Sequence, residues 1–399
     1  SLESELVFLT SLGESVPVNY SWNSDRTLLT LIPKQLMGIN TTYTLNIGQS
    51  PDLSGNTVTP VTVSFTTGGF VDSIAGNIVT YSPSSNATDV PLNAVIEFKV
   101  SDELDPTLLT SGSFYVIDVD GDGLPILASL LLSEDGQTAR LTPSDNFEAN
   151  NRYRVYFGYG ENLYDLAGNR LPYTSFYFYS GDAEDDVAIE VKNHNLSGSQ
   201  NEVATNIQLR VTLSEKANPL CVTSSNVLLS DLDGLVPINV GLSSDQLTLL
   251  VTPTTNLKAV SNYALQLKNV CDLSLNKMAD FQLAFTTGDS VDTSAPRIVS
   301  FTPEAYTTDV SLTTNISVEF DEPIDAERFL TEIRANDIRV YSSSDTISGN
   351  WTVVRNIATF DPLNPLPADT AIYVRVNDVD DQVGNESGVT TRYITTTSF

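Results

Sequence analysis

Carboxylates are the side chains in this chain that could do chemistry. Asp and Glu number 50 against 20 Lys and Arg, which gives a formal net charge of −30. The segment DVDGDG sets three Asp at alternate positions, and Ca²⁺ takes several oxygen ligands of this kind. Ser129 stands where an EF-hand loop has its closing Glu. The segment therefore fits either a calcium loop or a polar hairpin loop, with candidate ligands Asp118, Asp120 and Asp122.

A second set of carboxylates recurs at equivalent positions along the chain. Close carboxylates repel one another unless water or a cation neutralises them. A divalent cation that binds only the ordered arrangement would stiffen the segment that carries them. The alternative is that these are merely soluble, acidic linkers. The set comprises Asp72, Asp185 and Asp292 in linkers, and Asp102, Glu215 and Glu322 at the end of an early strand.

A D-x-x-x-N motif occurs four times. We interpret it structurally, because Asp and Asn side chains cap backbone groups in turns. In the alternative, its carboxylate also contributes to a cation site. The four pairs are Asp52 and Asn56, Asp165 and Asn169, Asp272 and Asn276, and Asp381 and Asn385.

These motifs belong to a tandem repeat with a period of about 110 residues. A Pro, a Tyr about ten residues later and a closing segment such as SFTTG recur with them, the Tyr as Tyr43, Tyr153, Tyr263 and Tyr373. The first half of the repeat occurs only three times. We therefore predict a partial unit that lacks its first strands at 1–69, and full units at 70–181, 182–289 and 290–399. The chain starts inside a repeat, as a cut precursor or a part of a longer chain would.

The elements that position these residues are β-strands. In AVIEFKV the apolar residues Ile96, Phe98 and Val100 alternate with polar ones, as in the half-buried strand of an antiparallel sheet. Turn residues separate such strands at short intervals, which is typical of a sandwich. The recurring Tyr is either a tyrosine corner or a core aromatic. We predict an all-β chain of tandem Ig-like β-sandwich domains in an extended array, with a helical turn or two at 325–333.

Several segments together resemble a known family. FDEPIDAERF, the D-x-x-G-N loop and the closing F-T-T-G look like bacterial Ig-like modules of the S-layer and adhesin type. The resemblance covers essentially the whole chain. It implies a part of a bacterial surface layer, an adhesin or a secreted enzyme, and does not by itself fix the function. SEKANP and DLSLN in the third unit depart from the pattern, which weakens the expectation that every unit binds the same ligand.

The two cysteines both lie in the third unit. An even pair within one sandwich predicts a disulfide between Cys221 and Cys271 in an oxidising compartment. The alternative is two buried free thiols.

Composition also excludes several classes of function. The charge of −30 argues against binding nucleic acid or anionic lipid, which require a basic face. No apolar run approaches the roughly 20 residues of a membrane-spanning helix. The single histidine, His194, leaves no His-His zinc site. Without G-x-S-x-G, H-E-x-x-H or a Gly-rich phosphate loop, we predict that the chain is not an enzyme.

The favoured function is a non-catalytic structural or adhesive rod, extracellular and at the bacterial cell surface. Its expected partners are other copies of itself or other surface proteins, and calcium is the one cofactor suggested. One alternative is a filament subunit, because a unit without its first strands would expose an apolar groove and open edges to strand addition. The fourth unit ends complete, however, with no spare strand to donate. A second alternative is a set of accessory modules of a secreted hydrolase.

Overall fold

The computed structural model describes residues 6–22, 27, 29–49, 51, 54–196, 200–334, 338–343 and 345–398. Internal contacts divide the chain into two compact units, Ser1–Ile74 and Ala75–Phe399, which are described separately. The predicted all-β class is confirmed, since β-sheets build both units. The named strands pair antiparallel, except that β8 (Ala87–Val90) pairs in parallel with β14 (Thr174–Ser180). "First module" to "fourth module" denote below the ranges 1–69, 70–181, 182–289 and 290–399.

The first module has a four-stranded and a two-stranded sheet. The strand order of the larger sheet is β2-β1-β5-β6, and β3 pairs with β4 in the smaller one. These strands are β1 (Val7–Ser11), β2 (Glu14–Val16), β3 (Val18–Trp22), β4 (Leu29–Pro33), β5 (Thr42–Ile47) and β6 (Val61–Thr66).

The second module is a two-sheet sandwich. Its strands are β7 (Ile78–Ser82), β8 (Ala87–Val90), β9 (Ile96–Val100), β10 (Phe114–Asp118), β11 (Ala128–Leu132), β12 (Thr138–Pro143), β13 (Arg152–Phe157) and β14 (Thr174–Ser180). One sheet has the order β11-β12-β9-β7 and the other β10-β13-β14-β8. Alternate residues of these strands point inward, so Phe98 and Phe157 stack with ring centroids 4.1 Å apart in a shared core.

The third module repeats this architecture with a mainly aliphatic core. Its sheets have the orders β15-β16-β20-β19 and β18-β17-β21-β22. The strands are β15 (Val191–His194), β16 (Leu209–Leu213), β17 (Val227–Asp231), β18 (Gly234–Leu235), β19 (Ile238–Leu242), β20 (Thr248–Pro253), β21 (Asn262–Leu267) and β22 (Phe281–Thr286).

The fourth module has sheets of the orders β23-β24-β27-β26 and β25-β28-β29 around its own core. Its strands are β23 (Ile298–Thr302), β24 (Ile316–Phe320), β25 (Arg339–Tyr341), β26 (Gly349–Val354), β27 (Ile357–Pro362), β28 (Ala371–Val376) and β29 (Thr390–Thr395).

The segments that follow strands β9, β16 and β24 differ in helix content among the three full modules. The second and third modules form 3-10 turns, Pro106–Leu108 and Pro219–Cys221, capped by Asp105 and Asn218. In the fourth module the expected helical segment is α1 (Ala326–Arg334), where Asp325 caps the backbone N–H of Glu327 at 3.0 Å. Among the described residues, no helix combines the length and apolar composition needed to cross a bilayer.

Three of the recurring tyrosines form corners. The hydroxyls of Tyr43, Tyr153 and Tyr263 each accept a hydrogen bond from a backbone N–H five residues upstream, at 2.7–2.8 Å. The expected fourth corner is not formed by Tyr373. In the register of the paired strands, Ile372 opposes Ile394 as Tyr263 opposes Phe285, so Tyr373 lies one position further on and faces outward. Sequence spacing alone missed this one-residue shift.

Consecutive modules of the second unit are in direct contact. The D-x-x-x-N loop of one module packs against the early strand region of the module before it. Val95 N–H donates to the carbonyl of Leu273 at 3.1 Å, and Leu273 contributes to the core of the second module. Val383 packs in the same way against the core of the third module. Each junction is therefore built from a loop that sequence analysis had assigned to turn capping.

Candidate metal centre

Three carboxylates meet at the junction of the second and third modules. Asp185 lies in the linker, Glu215 follows strand β16, and Asp272 opens the DLSLN loop. One carboxylate oxygen from each lies within 4.8 Å of the other two. The sequence had placed Asp185 and Glu215 at related positions, and the fold adds Asp272. This set is called the first acidic cluster below.

Asp272 is held in place by its own loop. Its Oδ1 accepts hydrogen bonds from the backbone N–H of Ser274 at 2.8 Å and of Asn276 at 2.9 Å. The residue is only 1% exposed. Its Oδ2 is buried and has no hydrogen-bond donor among the described residues. A buried carboxylate oxygen without a donor is costly, so this atom requires a cation or a proton as its partner.

The linker carboxylate is positioned from the preceding module. The side chain of Asn93 accepts a hydrogen bond from Asp185 N–H at 2.9 Å and donates one to the Asp185 carbonyl at 3.0 Å. Asn276 donates to the same carbonyl at 2.8 Å. These bonds hold both the N–H and the carbonyl group of Asp185 in place. A cation on the Asp185 carboxylate would lie on a linker already bound to both modules.

The protonation of the first acidic cluster reflects its crowding. Burial, together with a hydrogen bond and charge repulsion from Asp185, raises the pKa of Glu215 to about 7. Burial also raises the pKa of Asp272. Lys216 lines the same cleft of about 240 Å³, but its Nζ donates to the Thr88 carbonyl at 2.7 Å. The cluster therefore binds a proton readily when no metal ion neutralises it.

The junction of the third and fourth modules repeats the arrangement. Carboxylate oxygens of Asp292, Glu322 and Asp381 lie within 4.8 Å of one another, and this set is the second acidic cluster. Asn206 holds the Asp292 backbone as Asn93 holds Asp185, with bonds of 2.9 and 2.8 Å. Burial, then a hydrogen bond with Asp292, raises the pKa of Glu322 to about 8.

The two clusters differ at the loop carboxylate. Asp381 Oδ1 accepts from the N–H of Val383 at 2.8 Å, and its Oδ2 accepts from the Asn385 side chain at 2.7 Å. Both oxygens of Asp381 thus have protein donors, whereas Asp272 Oδ2 has none among the described residues. Because Asp272 has a carboxylate oxygen without a donor among the described residues, the first acidic cluster fits a cation better than the second one does.

The DVDGDG loop is arranged differently. Asp118 Oδ1 accepts from the N–H groups of Asp120 and Gly121, and its Oδ2 accepts from Asn151 at 2.9 Å. Asp122 caps the N–H of Leu124 at 2.9 Å. These carboxylates stabilise a hairpin loop, and within the described residues they do not form one of the close three-carboxylate groups. The geometry favours the hairpin interpretation over the calcium loop.

The remaining predicted residues have local roles. Asp72, in the first unit, accepts from Ile74 N–H at 3.0 Å. In the second unit, Asp102 accepts from Glu103 N–H at 2.8 Å and Asp165 from Asn169 N–H at 2.8 Å. Asp52, which opens the first copy of the motif that ends at Asn56, lies outside the described residues.

A disulfide borders the first acidic cluster. Cys221 and Cys271 are bonded, with Cα atoms 5.6 Å apart. Cys271 directly precedes Asp272, and its carbonyl accepts a hydrogen bond from Asn218 N–H at 2.8 Å. The bond therefore ties the start of the DLSLN loop to the 3-10 turn that ends at Cys221. Neither cysteine is a free nucleophile.

Sequence reasoning had assigned Asp272 and Asp381 mainly to turn capping. They do cap turns, and the same side chains also face the linker carboxylates of the adjacent junction. The available signal was the similar spacing in the third and fourth modules: the strand-end Glu follows the linker Asp by 30 residues in both, and the loop Asp follows that Glu by 57 and 59 residues. Spacing alone could not show that the three segments converge, because this depends on how the sandwich folds back on itself.

Comparison with known proteins agrees with the repeat pattern. A family model described as a bacterial Ig-like domain matches residues 72–180, 185–287 and 292–399. An S-layer protein of Geobacillus stearothermophilus is 27% identical over 255 residues, which cover 62% of this chain and 20% of that protein. The matched region is thus about a fifth of the relative's length.

Solved structures of similar proteins include domains 1–6 of the surface layer protein SbsC and domains 1–5 of the Sidekick-1 immunoglobulin array. The SbsC match covers 82% of this chain and 54% of that chain at 9% identity, with a TM-score of 0.23. The Sidekick-1 match covers 98% and 73% at 9% identity, with a TM-score of 0.17. Both TM-scores are low, so the assignment rests on the family match and the sheet topology. This chain belongs to the bacterial Ig-like domain family.

Proposed function

We propose that this chain is a non-catalytic structural segment of a bacterial cell-surface protein, in which Ca²⁺ at the module junctions fixes the linkers. The support for a structural role is the succession of family modules and the S-layer relative. Its place is extracellular, where a disulfide such as Cys221–Cys271 persists. Its partners are further copies or other surface proteins.

The observation that carries the calcium proposal is the buried Oδ2 of Asp272. This atom has no donor among the described residues, and the Asp272 carboxylate belongs to a group of three close carboxylates. Hard oxygen ligands of this type suit Ca²⁺, which tolerates irregular geometry and completes its shell with carbonyls and water. Bound Ca²⁺ would neutralise the mutual repulsion of the carboxylates. Because Asn93 fixes the Asp185 backbone, neutralising this carboxylate would hold the linker between both modules.

The binding step is tested by isothermal titration of the metal-free chain with CaCl₂. We expect binding that Asp272→Asn weakens at least tenfold at one site. The matched control is Asp122→Asn, which removes a loop carboxylate outside both clusters and should leave the titration unchanged. Absence of binding heat together with an unchanged melting temperature in EGTA would refute the calcium proposal.

A second candidate function is a filament subunit completed by strand addition from another chain. The first module exposes the side of β6 that corresponds to buried positions elsewhere: Val61, Val63 and Phe65 are 45%, 50% and 44% exposed. The equivalent Phe285 of the third module is 3% exposed. An apolar strand from a neighbouring chain could cover this face.

The strand-addition candidate is tested with a synthetic peptide of sequence AVIEFKV, the early strand of the second module. The candidate expects the peptide to bind the full chain and to compete with concentration-dependent fibre formation. Phe65→Ser should weaken that binding, whereas Ser64→Ala on the opposite side of the same strand should not. A chain that stays monomeric and does not bind the peptide would exclude this candidate.

A further inference from the structure

The outer face of one sheet of the second module has an unusual composition. Along β13 the outward residues Arg152, Arg154 and Tyr156 alternate with buried ones. Across the sheet, Tyr156 opposes Tyr115 on one side, and Arg154 opposes Tyr177 on the other. This surface is called the Tyr–Arg face; its residues are Tyr115, Arg152, Arg154, Tyr156, Tyr159, Tyr173, Tyr177 and Tyr179.

The rings of the Tyr–Arg face contact one another in a continuous row. Tyr115 and Tyr156 stack with centroids 4.9 Å apart, Tyr156 and Tyr159 lie at 5.1 Å, and Tyr159 and Tyr173 meet edge to face at 5.7 Å. The Arg154 guanidinium lies 4.7 Å from the Tyr156 centroid. Such contacts hold rings and cations in place before any partner arrives.

This packing decides which groups remain for a partner. The flat faces of the inner rings are covered by neighbouring rings or by guanidinium groups. Ring edges and phenol hydroxyls are left, together with the positive charge of Arg154, whose guanidinium donates to the neutral Ser175 hydroxyl at 3.0 Å. The Arg152 guanidinium, by contrast, pairs with Asp120 at 3.6 Å. Tyr159 and Tyr173 remain 50% and 60% exposed. The surface thus offers fixed hydrogen-bond donors and positive charge within a highly acidic chain.

The fourth module carries a smaller version of the same surface. Tyr341 and Tyr373 stack at 5.3 Å, Tyr373 contacts Tyr393 at 5.5 Å, and the Arg339 guanidinium lies 4.8 Å from the Tyr341 centroid. The Nε of Arg339 has no acceptor among the described residues. The one-residue shift that moved Tyr373 out of the corner position placed it in this row.

The corresponding face of the third module lacks these residues. Its outward positions on β21 and β22 include Ala264, Gln266, Gln282 and Ala284. Because the third module folds on the same plan without outward aromatic residues, the fold itself does not require them. The Tyr–Arg face is therefore an added surface property of particular modules.

We propose that the Tyr–Arg face binds the acidic surface of a second copy of this chain. Tyr and Arg without Lys are the composition of the centres of protein interfaces, and pre-ordered side chains lose little entropy on binding. A second copy carries 50 acidic side chains, which complement the positive charge of Arg154. A sugar polymer would stack on open ring faces, and here Tyr156 is flanked by Tyr115 and Arg154, and Tyr177 by Arg154. The inference rests on the proposed structural role but is independent of calcium.

The test is sedimentation velocity of the full chain over a range of concentrations, in CaCl₂ and in EGTA. We expect reversible association that Arg154→Gln weakens at least tenfold, as for a central interface arginine. A second variant, Tyr159→Ser, lies at the exposed end of the row and should weaken association without disturbing the sheet. The matched control, Gln266→Ala on the third module, should associate like the unchanged chain. Melting temperatures verify that all three variants are folded.

Three results would overturn the proposal. One is a chain that is monomeric at every concentration in both buffers. Another is association that both Arg154→Gln and Tyr159→Ser leave unchanged. The third is a monomeric chain that an alginate column retains through Arg154, which would assign the face to an anionic polysaccharide. Loss of calcium binding with association intact would refute the proposed junction chemistry and leave this inference standing.

Discussion

The two junctions of the third module share a backbone arrangement and differ in the side chains that cross it. At both, an Asn of the preceding module holds the linker Asp through two hydrogen bonds. At the first junction, the buried Glu97 accepts from Asn218 of the next module at 2.8 Å. At the second, the equivalent strand position is Arg210, which forms a buried ion pair with Asp325.

This difference shows which features are general and which are specific. The Asn–linker contact involves backbone groups, so it can be repeated at any junction. The crossing pair depends on charge. Glu97 pairs with Arg140 of its own module at 2.8 Å, and exchanging partners would place it against the buried carboxylate of Asp325, which would then lack Arg210. Such a mismatch is costly in a buried site. The crossing pairs therefore make the order of the modules specific.

Removing the charge pair at the second junction should have the largest effect. Arg210→Met leaves Asp325 buried and uncompensated, and we expect a loss of roughly 3–5 kcal/mol in the unfolding free energy. Urea denaturation followed by tryptophan fluorescence of Trp351 measures it in the fourth module. The double variant Arg210→Met with Asp325→Asn should recover part of the loss, because no buried charge then remains unpaired. An Arg210→Met variant as stable as the unchanged chain would contradict a structural role for the pair.

The disulfide distinguishes the first junction from the second. Replacing Cys221 and Cys271 by Ser should destabilise the third module by about 2–4 kcal/mol, since a cross-link across a long loop restricts the unfolded chain. Differential scanning calorimetry should show a lower transition for the third module only. The control is a reductant added to the Ser variant, which should change nothing further. A transition unaltered by the Ser replacement would show that the bond does not brace the loop.

The acidic clusters should make the metal-free chain less stable as the pH rises. Folding raises the pKa of Glu322 from 4.5 to about 8 and that of Glu215 from 4.5 to about 7. At pH values between the ordinary and the raised pKa of each group, the folded chain therefore binds more protons than the unfolded one. Stability is therefore greatest below pH 4.5 for these groups and falls until pH 7 at the first cluster and pH 8 at the second. We expect the effect to be smaller than that of the disulfide, because water partly screens the carboxylates.

This pH dependence is measured by thermal melting in EGTA between pH 4.5 and 9. Glu322→Gln should lessen the decline from pH 4.5 upward and remove the part between pH 7 and 8, and saturating CaCl₂ should flatten the curve. The matched control Glu319→Gln changes a carboxylate outside the cluster, on strand β24, which ends two residues before Glu322. A stability that rises over this interval in EGTA would contradict the assignment.

The smallest expected effect concerns the tyrosine corner. Tyr263→Phe removes a hydroxyl that accepts from Lys258 N–H at 2.7 Å, which should cost about 1 kcal/mol. Tyr373→Phe, by contrast, alters an outward ring and should change stability by less than about 0.5 kcal/mol. Equal losses in the two variants, measured by urea denaturation, would show that the fourth module has a corner after all.

Much of this architecture could be predicted from sequence, because period-two strands and a repeat of about 110 residues constrain the fold strongly. The linker and strand-end carboxylates of the two clusters could also be predicted from the sequence, because they recur at equivalent positions. Asp272 was harder to assign, because its capping role explains its presence without a cluster. The outward position of Tyr373 depends on a register shift of one residue, and the pair Arg210–Asp325 depends on how two modules dock. Neither is encoded in a local pattern.

The most direct test of the proposed calcium-dependent junction is a distance distribution between consecutive modules. Spin labels at Ser129→Cys and Asn239→Cys would occupy exposed strand positions of the second and third modules, and pulsed electron paramagnetic resonance would record their separation with CaCl₂ and with EGTA. We predict a narrow distribution in calcium that broadens in EGTA, and a broad one in both buffers for Asp272→Asn. Identical distributions in calcium and EGTA for the chain with Asp272 intact would contradict the proposal.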